Sequence, residues 1–164
     1  MKKTLMILAM VIAVNADAQE RAGKPTREQI VAVTLLAEAR GGGFIAMLNV
    51  ACVIQQRAIN RNLEPYQICL QRRQFSCWNK KTYENLAELL CTRHAPSAKS
   101  LALDLQRGVN LGREKRGHPD HYFAKSMKVW PRWAYAGGNR ANPKLKPVHD
   151  DGHHLFFRLR RGKK

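Results

Sequence analysis

The stretch Thr26-Arg27-Glu28-Gln29-Ile30-Val31-Ala32-Val33-Thr34-Leu35-Leu36-Ala37-Glu38-Ala39-Arg40-Gly41-Gly42-Gly43 decides the reading of the fold. Thr26 followed by Gln29, with Pro25 just before, is a capping box that starts a helix. Ile30, Val33, Leu36 and Ala37 keep a helical period up to Arg40. The triple glycine then stops the helix. Downstream, a second helix is expected from Phe44 to Ile59, with Met47, Leu48, Ala51, Cys52, Ile54 and Gln55 turned inward. Pro65 lies in the connection to a short helix over Tyr66–Leu70, and 74–79 reads as a loop. Tyr83–Cys91 has the composition of another short helix. Pro96 suits the first turn of a helix through Arg107, with Gly108 placed to end it and Ala98, Leu101 and Leu105 as its buried stripe. After Val109 no helical period persists, and Gly, Pro, Asn and charged residues dominate up to Leu155-Phe156-Phe157. The expected fold is mainly α (α+β): a single domain with an irregular, aromatic-rich C-terminal flank and short strands.

The N-terminus precedes this domain with Lys2-Lys3, an apolar run from Leu5 to Val14, and Ala16-Asp17-Ala18. A basic start, a short apolar core and a small-x-small site form an export signal over 1–18. The run falls short of the roughly 18–20 residues that span a bilayer as a helix. Residues 19–25 are expected to be loose, 26–157 to form the domain, and 158–164 to be a solvated basic tail. The chain of 164 residues carries a net charge of +17, which predicts attraction to polyanions. Together with the export signal, the charge favours an anionic bacterial envelope, in the periplasm or outside the cell, over nucleic acid. The four cysteines fit disulfides in an exported protein. The expected pairs are Cys69–Cys77 and Cys52–Cys91, against the alternative of a buried Cys52 thiol. No CxxC spacing suggests structural zinc.

Aspartate and glutamate together number only 12, and most lie among polar or basic neighbours, where a solvated or ion-paired role suffices. Glu38 differs, standing among Leu35, Leu36, Ala37 and Ala39 directly before the glycines. Apolar surroundings disfavour the charged form of a carboxyl. A carboxyl that keeps its proton near neutral pH is what a general acid needs to protonate a glycosidic oxygen. The glycines would let a sugar chain approach the backbone closely. The bland alternative is a helix-terminal Glu paired with Arg40 or another cation.

The segment Leu36-Ala37-Glu38-Ala39-Arg40-Gly41 resembles the AEARG signature of the spore-cortex-lytic (SleB-like) cell-wall hydrolases. Gln74-Phe75-Ser76-Cys77-Trp78 is similar to their QFSxW segment, and His121-Tyr122-Phe123, followed by Trp133-Ala134, to their HYY-type motif. Gly152-His153-His154-Leu155-Phe156 is similar to their closing G-x-H-x-F. The matches come in the family's order and span 28–157. The resemblance implies a lysozyme-like fold, action on peptidoglycan glycan strands, and Glu38 as catalytic acid/base. It also implies a substrate groove lined by Gln74, Phe75, Ser76, Trp78, His121, Tyr122 and His154. Two positions depart from the family: Gly42 stands where a second acidic residue is usual, and His153 where Gly or Asn often precedes the closing His.

Ordinary glycosidases use two carboxylates. With Gly42 in place of the second, the expected reaction is that of a lytic transglycosylase cutting between N-acetylmuramic acid and N-acetylglucosamine. The muramic C6 hydroxyl then closes a 1,6-anhydro ring. A hydrolytic muramidase or glucosaminidase would need Asp120, Asp150 or Asp151. Trp78, Tyr122, Trp130 and Trp133 are candidates for stacking on sugars, whereas Phe75, Phe156 and Phe157 read more simply as core. The rival enzyme class is a zinc-dependent wall amidase or peptidase, drawing on His118, Asp120, His121, His149, Asp150, His153 and His154. The rival outside enzymology is a cationic envelope-binding protein. No cofactor or metal is expected, and the chain is expected to act as a monomer on peptidoglycan.

Overall fold

The computed structural model describes residues 24–39, 41–135 and 145–159. The expected export signal, most of 19–25, Arg40 and the end of the basic tail lie outside the described residues. Five helices come first: α1 (Arg27–Glu38), α2 (Gly43–Arg61), α3 (Pro65–Leu70), α4 (Tyr83–Ala87) and α5 (Ala95–Gln106). Short 3-10 turns cover Ser76–Trp78, Glu88–Cys91, Arg113–Arg116 and Arg132–Tyr135. The strands β1 (His121–Ala124), β2 (His149–Asp150) and β3 (His154–Phe157) form an antiparallel sheet in the order β1-β3-β2. The described chain is thus mainly helical with a small sheet. No described helix is long and apolar enough to cross a membrane.

The start of α1 follows local chemistry. Thr26 Oγ1 accepts from Gln29 N–H at 3.2 Å, and Gln29 Oε1 accepts from Thr26 N–H at 2.8 Å. Gly41 at φ +80° and Gly43 at φ +63° then take backbone conformations that other residues avoid. The expected one-sided stripe on α1 is too narrow a description. Every residue from Ile30 to Leu36 is buried, because α2, α3, α4 and α5 all pack against this helix. An apolar sequence on all sides is the signature of a central helix.

Helix α2 starts one residue earlier and ends two later than expected, with Asn62 closing it in the left-handed region at φ +52°. In α5, Ala98, Leu101, Ala102 and Leu105 are buried, and Gly108 follows at φ +71°. The expected Tyr83–Cys91 helix divides at Glu88, where the chain tightens into a 3-10 turn.

Side chains alternate along the sheet, and paired residues share a face. One face carries Tyr122, Ala124, His154 and Phe156, and Tyr122 packs on the helical core. The other carries His121, Phe123, Leu155 and Phe157. A second apolar cluster of Phe123, Ala134 and Phe157, with Trp130, Trp133, Leu145 and Leu155 around it, covers that face.

No disulfide forms, which corrects the expected Cys69–Cys77 and Cys52–Cys91 pairs: all four cysteines are free, with none at bonding distance of another. Different elements place them in different surroundings. Cys52 is buried on α2 and lies 3.5 Å from the Leu111 carbonyl, while Cys91 is exposed at the end of a 3-10 turn. Cys69 is wholly enclosed in α3, where burial pushes its thiol up to about 12.

Candidate functional site

Glu38 is the last residue of α1, half-buried, and donors from two distant segments converge on its carboxylate. Ser76 Oγ donates to Oε1 at 3.0 Å and Cys77 N–H donates to the same oxygen at 2.9 Å. Tyr122 Oη donates to Oε2 at 2.8 Å. A carboxylate has about four acceptor positions, so this arrangement leaves roughly one for a further proton donor. The carboxylate in turn acts on its neighbours. Burial first, then the charge of Glu38, push the Tyr122 phenol and the Cys77 thiol well up, so both keep their protons.

Helix geometry explains why the 74–78 segment arrives here. Thr34 lies one turn before Glu38 and therefore on the same face of α1. Its Oγ1 donates to the Ile30 carbonyl at 2.7 Å and accepts from Trp78 Nε1 at 2.9 Å. Trp78 is pinned at one end of the 3-10 turn while Ser76 and Cys77 meet the carboxylate at the other.

Arg57 joins this turn to the strand that carries Tyr122. It is only 6% exposed, its Nε donates to the Asp120 carbonyl at 2.6 Å, and its Nη1 donates to the Gln74 carbonyl at 3.4 Å. Its guanidinium lies 5.3 Å from the centroid of the Phe75 ring. Sequence reasoning missed Arg57, because a cation next to Gln56 near the end of a helix reads as solvated. The one available signal was its position in line with the inward residues of α2.

The expected site residues divide. Glu38, Ser76 and Tyr122 are brought together. Trp78 adjoins them, and His154 packs edge-on against Tyr122 with ring centroids 5.5 Å apart. His154 Nδ1 is buried without a hydrogen-bond partner, 3.7 Å from Asp151 Oδ2. The Gln74 side chain turns elsewhere, its Oε1 accepting from Arg61 at 3.0 Å. Phe75 is 1% exposed and belongs to the core, so its expected place in a groove is corrected. His121 is corrected as well: it is on the opposite face of β1 from Tyr122, bonded to Asp120 Oδ1 at 2.9 Å and 4.9 Å from the Trp133 ring. Trp130 and Trp133, candidates for stacking on sugars, pack on Phe123 in the second cluster.

The three candidates for a second carboxylate are held by partners of their own. Asp120 accepts from His121 and from Leu159 N–H, which outweigh the upward push of burial and hold its carboxyl below the ordinary value. Asp150 bonds Lys125 at 2.9 Å. Asp151 accepts from the N–H groups of His153 and His154 and from Asn49, and these outweigh its burial to the same effect. No cluster of three or more His, Cys, Asp or Glu side chains that could hold a metal occurs among the described residues. Gly42 also has a steric reason: a Cβ there would overlap the Ala46 methyl on the next turn of α2. An acidic side chain at 42 would require the helix to shift.

No protein-family model, curated protein or solved structure matches the chain.

Proposed function

We propose that the chain is an exported, lysozyme-like cell-wall glycosidase of the SleB-like kind. It cleaves peptidoglycan between N-acetylmuramic acid and N-acetylglucosamine as a lytic transglycosylase, with Glu38 as acid and then base. The observation that carries this reading is the convergence of Ser76, Cys77 N–H and Tyr122 on Glu38. Three segments far apart in the chain, each resembling a motif of that family, meet at one carboxylate.

In this reading Glu38 protonates the glycosidic oxygen and the bond to the muramic C1 breaks. The substrate's 2-acetamido group stabilises the positive centre. Glu38, now a carboxylate, takes the proton of the C6 hydroxyl as that oxygen attacks C1, giving the 1,6-anhydro product. Tyr122 and the Cys77 N–H hold the carboxylate in place, and a fixed geometry is what a proton transfer of this kind requires. Ser76 is exposed, so its hydroxyl can turn from Glu38 to a sugar while the backbone N–H keeps its hold. The separate engagement of Asp120, Asp150 and Asp151 favours one working carboxylate over two. No cofactor enters the scheme, and the positive charge holds the protein on its anionic substrate.

The test is digestion of purified peptidoglycan by the wild type and by Glu38→Gln, with products read by mass spectrometry. General acid–base groups contribute about 10²–10⁴-fold, and a loss of at least that size is expected with the fold retained. Anhydromuramic ends are the expected product, and reducing muramic ends alone would move the reading to a hydrolase. Equal lysis by both proteins would leave charge, not catalysis, as the cause.

A further inference from the structure

A cavity lies beside Trp78, and its chemistry is cationic. It has a volume of about 580 Å³ and is lined by Leu70, Gln71, Arg72, Arg73, Trp78 and Asn79. Gln74 N–H donates to the Gln71 carbonyl at 3.1 Å, which makes Arg72 and Arg73 the two central residues of a tight turn. Both are exposed, and neither is ion-paired with a carboxylate among the described residues. Gln71 gives its amide oxygen to Arg61, which leaves its amide nitrogen able to donate into the cavity.

Arg73 sits at φ +61°, in the left-handed region where a turn ordinarily takes Gly or Asn. The fold would be served better by glycine at this position. An arginine at this turn position, beside another arginine, points to a use for the side chain. The same segment supplies Ser76 and Cys77 to Glu38 and contributes Trp78 and Asn79 to the cavity. The two arginines, Trp78 and the donors to Glu38 from Ser76 and Cys77 are thus carried by one short stretch, 71–79.

We infer that the Arg72–Arg73 turn and Trp78 form a subsite for a carboxylate carried as a substituent on the glycan. This rests on the glycosidase reading above and adds a preference to it. Arginine presents paired N–H donors that match a carboxylate, and Trp78 and Leu70 give the substituent an apolar wall. Two sources carry this chemistry on a peptidoglycan strand: the lactyl group of muramic acid and the peptide attached to it.

Binding is measured by calorimetry with the Glu38→Gln protein, so that no substrate is consumed. Three glycans of equal length are compared: strands bearing stem peptides, strands stripped to the free lactyl carboxylate, and chitin oligosaccharides with no carboxylate. The carboxylate-bearing strands should bind on the order of tenfold tighter than chitin, a gap that shrinks as salt screens the exposed arginines. Preference for stripped strands assigns the lactyl group, and preference for stem-bearing strands alone assigns the peptide. Adding Arg72→Gln and Arg73→Gly should abolish the gap without lowering thermal stability, since glycine relieves the strain at 73. Equal affinity for all three glycans, or a preference that survives the double substitution, overturns the subsite. Cleavage by the wild type with no such preference leaves the glycosidase standing and removes the subsite. Preference with no cleavage does the reverse.

Discussion

The two faces of the β1–β3 ladder are built from adjacent residues and do different work. Tyr122, His154 and Phe156 form one face, where the Tyr122 phenol reaches Glu38 and its ring stacks on Phe156 at 5.6 Å. His121, Phe123 and Phe157 form the other, where Phe123 stacks on Phe157 at 5.4 Å and Trp133 closes over both. The first face joins the sheet to the helices and delivers a polar group to a carboxylate. The second joins the sheet to the C-terminal flank through the aromatic cluster of Phe123, Trp130, Trp133 and Phe157, with the His121–Asp120 pair beside it. Two histidines, both expected beside the site, therefore have different positions, His154 against Tyr122 and His121 away from it. Proximity in sequence to a site residue is no guide when the period is two.

The sharpest way to break this contrast is to remove an anchor of the second face. Phe157 is 1% exposed and sits among Phe123 and Trp133. Phe157→Ala should destabilise the protein by about 3–5 kcal/mol, the usual range for a fully buried aromatic. The cleavage rate per folded molecule should stay near that of the wild type. Denaturant unfolding measures the first quantity, and peptidoglycan release below the new unfolding midpoint measures the second. A large fall in specific activity with stability kept would show the two faces to be coupled.

The first face responds in the opposite way. Tyr122→Phe keeps the ring that stacks on Phe156 and removes only the hydroxyl that donates to Glu38. A hydrogen bond to a charged group contributes about 1.5–3 kcal/mol. Rates should therefore drop roughly 10- to 100-fold at about 1.4 kcal/mol per tenfold. The loss of stability should not exceed that of the same hydrogen bond, and so should stay below that of Phe157→Ala. A variant with full kcat/KM would place Tyr122 outside the machinery and leave it a packing residue.

How far the sequence discloses these arrangements depends on the range of the forces involved. Helix α1 is legible because its capping box and glycine stop act within a few residues. Glu38 stands out for its apolar neighbours, and its partners Ser76 and Tyr122 were reachable through motif resemblance. Strand alternation separates His121 from Tyr122 in principle, but the pattern alone cannot say which face meets the helices. Arg57 was illegible for a related reason. Its partners, the carbonyls of Asp120 and Gln74, lie 63 and 17 residues away, and only their joint burial makes a buried cation tolerable. The cysteines misled because an even count says nothing about placement, which the packing of four unrelated segments decides.

The smallest expected effect tests how the load on Glu38 is divided between its two oxygens. Tyr122 serves Oε2 alone, whereas Ser76 shares Oε1 with the Cys77 N–H. Ser76 is also exposed, so water replaces its hydroxyl when it is removed. Ser76→Ala should therefore stay near the lower range for a hydrogen bond, about 0.5–1.5 kcal/mol, or roughly a two- to tenfold loss in kcat/KM. The proposed turn of Ser76 toward a sugar makes a further distinction: loss of a substrate contact raises KM with kcat kept, whereas loss of carboxylate support lowers kcat. The same measurement on Tyr122→Phe should show the kcat pattern. If Ser76→Ala falls as far as Tyr122→Phe, the backbone N–H is not holding Oε1 by itself, and the 3-10 turn at 76–78 depends on the serine to keep its place.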